Sequence, residues 1–126
     1  MLLMAVAAVF VGLSAGCVSY GGLPTSDVRV EAVNSPQIEL RRPDALVTPQ
    51  GTRIHGWACR RSRATVSGSS IRVERIGKEG SAIAFADGSL DTRRLAHHRV
   101  GCVVYDVRTS WRLREDETLR VSVRRR

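Results

Sequence analysis

The sequence predicts an all-β fold, a small antiparallel β-sandwich occupying residues 27–126. Apolar and polar residues alternate with period two in six separate segments, the signature of strands with one face on a core and one in water. Gly, Pro, Asn, Asp and Ser cluster between these segments at short intervals, as turns in a sandwich do. No stretch sustains the 3.6-residue period of an amphipathic helix.

The first element lies outside the sandwich. Residues 1–26 carry no charge, and residues 27–126 hold all 32 charged side chains, 20 basic and 12 acidic. Met1 to Cys17 reads MLLMAVAAVFVGLSAGC, an apolar run closing on small residues, the layout of a secretory signal and its cleavage region. Leu13 followed by Ser14, Ala15 and Gly16 before Cys17 resembles the lipobox of bacterial lipoproteins. That resemblance implies a signal peptide over 1–16 and a new N-terminus at a diacylated Cys17. Several acyl chains on one cysteine anchor firmly, where one chain binds only reversibly. Val18 after the cysteine, where an aspartate would mark inner-membrane retention, implies the periplasmic leaflet of the outer membrane. An uncleaved signal anchor is the alternative, since about 20 apolar residues span a bilayer. Residues 17–26 then form the lipidated Cys17 and a tether rich in Gly, Ser and Pro.

The strands follow in order. Val28, Val30 and Ala32 alternate with Arg29 and Glu31; a second run holds Ile54 and Gly56 to Cys59; a third holds Ile71 and Val73. Ala82 to Ala86, Cys102 to Val107, and Leu119, Val121 and Val123 complete the six. Turn signals stand at Asn34-Ser35-Pro36, Arg42-Pro43-Asp44, Pro49-Gln50-Gly51, Ser67-Gly68-Ser69, Gly77 to Gly80 and Asp87-Gly88. Ile71 to Phe85, reversing at Gly77 to Gly80, is the clearest hairpin. Asp91 to His98 reads equally as one helical turn or as a loop crossing the sandwich.

With Cys17 assigned to lipid, Cys59 and Cys102 remain as an even pair in an oxidising compartment, and a structural disulfide between two distant strands is expected. Trp57 lies two residues before Cys59, so both side chains belong to one face of one strand. The architecture resembles an immunoglobulin domain in a general sense. Gly56 to Arg60 with the Ile71 to Gly80 strand and turn is similar to small envelope domains of the FxLYD and transthyretin-like kinds. The resemblance implies a fold and carries no catalytic motif.

Candidate chemistry reduces to histidines and arginines. His55, His97 and His98 are the three imidazoles, and an enzyme or metal protein would need them to converge with an acid. Their spacing matches no metal-ligand pattern, and neither a nucleophile elbow nor a nucleotide-binding glycine loop is present. The sequence therefore predicts a non-enzymatic protein with no cofactor and no metal. All cations but Lys78 are arginine, and the formal net charge is +8. Arginine forks suit carboxylate and phosphate, and such a charge favours polyanions. Behind a secretion signal, nucleic acid is not the expected partner; an anionic envelope polymer, lipid head groups or an acidic envelope protein are. High-GC codon usage would raise the arginine count without any ligand. The candidate anion-binding set is Arg60, Arg61, Arg63, Arg124, Arg125 and Arg126, and the binding reading expects them on one face rather than scattered over both sheets. The predicted role is a lipid-anchored envelope accessory or adaptor protein.

Overall fold

Alternating side chains build two packed sheets in a computed structural model that describes residues 23–24, 28–61, 65–97 and 101–125. The elements are β1 (Leu23–Pro24), β2 (Arg29–Val33), β3 (Ile38–Thr48), β4 (Gly51–Arg60), β5 (Ser69–Ile76), β6 (Ala82–Ser89), α1 (Thr92–Ala96), β7 (Cys102–Thr109) and β8 (Thr118–Arg125). One sheet has the order β1-β3-β4-β7 and the other β2-β8-β5-β6. All pairings are antiparallel except β2 with β8, which run parallel from Arg29 opposite Thr118 to Val33 opposite Ser122. The signal segment, Cys17 and its lipid lie outside the described residues.

The expected alternation is realised strand by strand. Ile38, Leu40, Ala45, Ile54 and Ala58 point inward from the first sheet, and Ile71, Val73, Leu119 and Val121 meet them from the second. Burying each large aliphatic side chain is worth about 1.5–3 kcal/mol, which drives the sheets together. Val103, Tyr105 and Val107 of β7 complete the same core.

Two turn signals have a different outcome from the one expected. Arg42-Pro43-Asp44 does not end a strand; it lies inside β3 as a bulge, the register passing from Arg41 opposite Trp57 to Asp44 opposite His55. Arg42 takes a positive φ of 51° there, and Pro43, lacking an N–H, is tolerated where the ladder is interrupted. The extra residue returns Ala45 to the inner face. Asp87-Gly88 likewise sits within β6. Gly88 is needed because β7 passes so close that a Cβ would stand 2.5 Å from Val107 Cγ2. Leu23 and Pro24, within the segment expected as tether, pair with Val47 and Leu46 at the sheet edge.

The disulfide joins Cys59 and Cys102, which are directly opposed on neighbouring strands with Cα atoms 4.0 Å apart. It therefore fastens β4 to β7 within one sheet instead of pinning the two sheets to each other. The Arg60 N–H donates to Gly101 O at 2.8 Å beside it, so the cysteines occupy a non-hydrogen-bonded pair, where opposing side chains approach most closely. Trp57 shares the solvent-side face with Cys59 and is 45% exposed.

Connectivity makes the two ends of the sandwich unlike. Links 34–37, 61–68 and 90–101 all pass from one sheet to the other at one end, where β8 also finishes; this is the crossover end. The β3–β4 and β5–β6 hairpins lie at the opposite, hairpin end, together with segment 110–117, which also passes from sheet to sheet. Asp91–His98 resolves into the helix α1, whose first turn is capped by the Asp91 carboxylate accepting from Arg94 N and which is held down by the buried Leu95.

Non-reducing peptide mapping should find no free thiol at Cys59 or Cys102. The bridge closes a sequence separation of 43 residues, and its reduction should lower chemical-denaturation stability by about 4 kcal/mol.

Candidate functional site

Arginines fall into two groups according to whether a carboxylate is within reach. On the bodies of the sheets Arg41, Arg53, Arg72 and Arg75 are paired, while Arg29, Arg42 and Arg120 have no ion pair among the described residues. Arg53 on β4 donates from Nε to both Asp106 oxygens at 2.8 and 2.9 Å. Arg72 on β5 makes a two-pronged contact with Asp87 at 2.7 and 2.9 Å and lies 4.1 Å over the Phe85 ring. Arg41 donates to Glu39 at 3.2 Å. In these pairs the hydrogen bond to the partner raises Arg53 and Arg72 above the usual arginine value, and the Arg41 bond lowers Glu39.

The most enclosed pair is at the hairpin end. Arg75 donates to Glu117 at 2.6 and 2.9 Å and to the Arg112 carbonyl at 3.1 Å, with Glu117 only 7% exposed. Thr52, also buried, donates to the Trp111 carbonyl at 2.8 Å. Together these bonds tie segment 110–117 onto both sheets.

The crossover end has the opposite character. Arg60 and Arg61 arrive there from β4, Arg93 and Arg94 from α1, and Arg124 and Arg125 from the end of β8. Arg60 Nη1 donates to the Ala96 carbonyl at 2.9 Å, fixing the helix to the sheet. Arg93, Arg94, Arg124 and Arg125 are exposed and have no carboxylate partner among the described residues, while Arg61 acts on Glu39 only at longer range. The acid within α1's leading segment, Asp91, is engaged as the helix cap.

This arrangement corrects the expectation of a single arginine face. Arg60 closes a strand of the first sheet, and Arg124 and Arg125 close one of the second, so no one sheet face holds them. They meet at an end, because packed sheets lie about 10 Å apart and the crossing links bring both strand termini to the same side. Arg63 and Arg126 lie outside the described residues. Arg93 and Arg94 join the group through the position of α1, which sequence spacing does not reveal. A depression of about 440 Å³ opens beside this end, lined by Ser70, Ser89, Arg124 and Arg125 together with the Arg72–Asp87 pair. Two guanidinium groups and two hydroxyls make it suited to an oxyanion.

The histidines are not brought together. His55 stands mid-strand on the outer face of the first sheet, opposite Asp44 and Asp106, whereas His97 follows α1 at the crossover end. His98 lies outside the described residues. Among the described residues, no three His, Cys, Asp or Glu side chains are grouped so as to hold a metal ion. Inside the core, burial pushes the Tyr105 hydroxyl up to about 12, and its ring lies across Gly56, where a Cβ would stand 2.5 Å from the hydroxyl oxygen.

No protein-family model, curated protein or solved structure matches the chain.

The Arg75–Glu117 pair sets an acid dependence. The Arg75 hydrogen bond holds the Glu117 carboxyl below the ordinary value of 4.5. Its stabilisation is complete above that ordinary value and is lost as pH falls through the lower folded-state value. Glu117→Gln should cost about 1–2 kcal/mol at neutral pH and flatten the acid limb of a denaturation-against-pH curve.

Proposed function

We propose that this chain is a non-enzymatic accessory protein of the bacterial cell envelope. A lipid on Cys17 holds it at the membrane, on the periplasmic face of the outer membrane, and its sandwich acts as an adaptor taking an anionic envelope ligand. The supporting observation is the gathering of Arg60, Arg61, Arg93, Arg94, Arg124 and Arg125 at the crossover end with no ion pair among the described residues, while Arg41, Arg53, Arg72 and Arg75 are paired with Glu39, Asp106, Asp87 and Glu117. A codon bias raises the number of arginines but does not gather six of them at one end against a single acid already engaged as a helix cap. Unpaired guanidinium groups bind phosphate and carboxylate through two-pronged, charge-assisted hydrogen bonds, and several acting together raise affinity and encounter rate at low salt.

The test compares two variants of equal charge. Arg93→Gln, Arg94→Gln, Arg124→Gln and Arg125→Gln in one chain should weaken binding to soluble polyphosphate by about tenfold or more and flatten its salt dependence. Arg42→Gln, Lys78→Gln, Arg114→Gln and Arg120→Gln in another should leave most of the affinity. Equal losses in both would reduce the arginines to net charge alone and contradict the assignment.

A further inference from the structure

The chain enters the domain at the end away from the arginines. β1 runs antiparallel to β3, with Leu23 opposite Val47, and β3 finishes at the hairpin end one residue later, at Thr48. β2 also starts there, with Arg29 opposite Thr118, the first residue of β8. From that end to the crossover end runs β5, eight residues long, which at roughly 3.3 Å per residue is about 26 Å. The six steps from Cys17 across residues 18–22 to Leu23 can reach at most about 22 Å.

Charge is divided along the same axis. The hairpin end, strand ends included, carries Arg29, Arg75, Lys78, Arg112 and Arg114 against Glu79, Glu115, Asp116 and Glu117, five bases against four acids. At the crossover end, six arginines face Asp91. Among the described residues of the segments forming that end, the large apolar side chains Val66, Leu90 and Leu95 are buried. Those described residues thus present arginine rather than the apolar anchor on which protein partners usually centre.

We infer that the anchored domain points its crossover end away from its own membrane and takes there an anionic glycan polymer bearing phosphate or carboxylate groups. This rests on the reading of Cys17 as lipid anchor and of the crossover end as the anion site. A tether shorter than the domain does not let it invert, and a nearly neutral hairpin end beside the bilayer needs no compensation from anionic head groups. Repeated charges along a polymer can engage arginines that come from β4, α1 and β8 in turn, which a single small anion cannot do.

The experiment uses the full acylated chain in phosphatidylcholine vesicles carrying a head-group energy-transfer acceptor. Lys78, the sole lysine, sits in the β5–β6 turn at the hairpin end and takes a donor dye; a Lys78→Arg, Arg94→Lys chain takes it at the crossover end. With the ends about 26 Å apart, transfer from position 78 should exceed that from 94 about twofold or more. Adding phosphatidylglycerol to the same vesicles should leave this ratio unchanged. Phosphomannan should bind from outside, neutral mannan should not, and polyglutamate should bind more weakly than phosphomannan. Equal or reversed transfer, or transfer from 94 rising to that from 78 with phosphatidylglycerol, overturns the orientation. Polyglutamate binding as tightly as phosphomannan overturns the glycan assignment. The underlying reading fails separately: Cys17→Ala chain remaining on the vesicles removes the anchor, and loss of all polyanion binding removes the anion site.

Discussion

Ile38, Ile54, Ile71, Val73, Leu119 and Val121 are wholly or almost wholly shielded from water, and each stands in a strand whose neighbouring residues are polar or charged. Period two leaves each sheet with one apolar face, and only the opposite sheet can cover it. That requirement governs the connections. Links 34–37, 61–68 and 90–101 carry the chain between sheets at one end, and segment 110–117 does so at the other. The distribution of charge follows, because the residues flanking those links are brought together whatever their distance in sequence.

The two ends solve the same closure problem with different chemistry. At the hairpin end, Arg75 and Glu117 satisfy each other and Thr52 holds the Trp111 carbonyl, so polar groups are used in holding segment 110–117 to the sheets. At the crossover end, Leu95 and Val66 supply the apolar closure and Arg60 secures α1, leaving the remaining arginines turned to solvent. The Cys59–Cys102 bridge lies at this same end and fastens β4 to β7 where the ladder stops. It reinforces the platform from which Arg60 and Arg61 leave the sheet. An end built this way keeps its arginines on a braced scaffold, which reduces the ordering cost of binding.

Much of this was legible in the residues. Alternation located β2, β4, β5, β6, β7 and β8, and the even cysteine pair anticipated the bridge. β3 escaped because Arg42-Pro43-Asp44 carries turn chemistry that tertiary pairing absorbs as a bulge; a local signal cannot distinguish a strand's end from an extra residue within it. Gly88 misled for a related reason, since a glycine allowing close approach of Val107 has the same letter as one turning a chain. The arginine clusters were visible one by one, but their meeting depends on which end each strand finishes at. That is a property of topology, and period-two patterning contains no information about it.

The central claim is that the crossover end is the surface that takes anions. Amide chemical-shift mapping of the isotope-labelled chain during titration with phosphomannan tests it most directly. Binding at the crossover end should concentrate shifts at residues 60–61, 91–97 and 124–125 and around the Ser70–Ser89 depression, with the hairpin end unmoved. Shifts centred instead on Trp57 and Val104, or on segment 110–117, would contradict it.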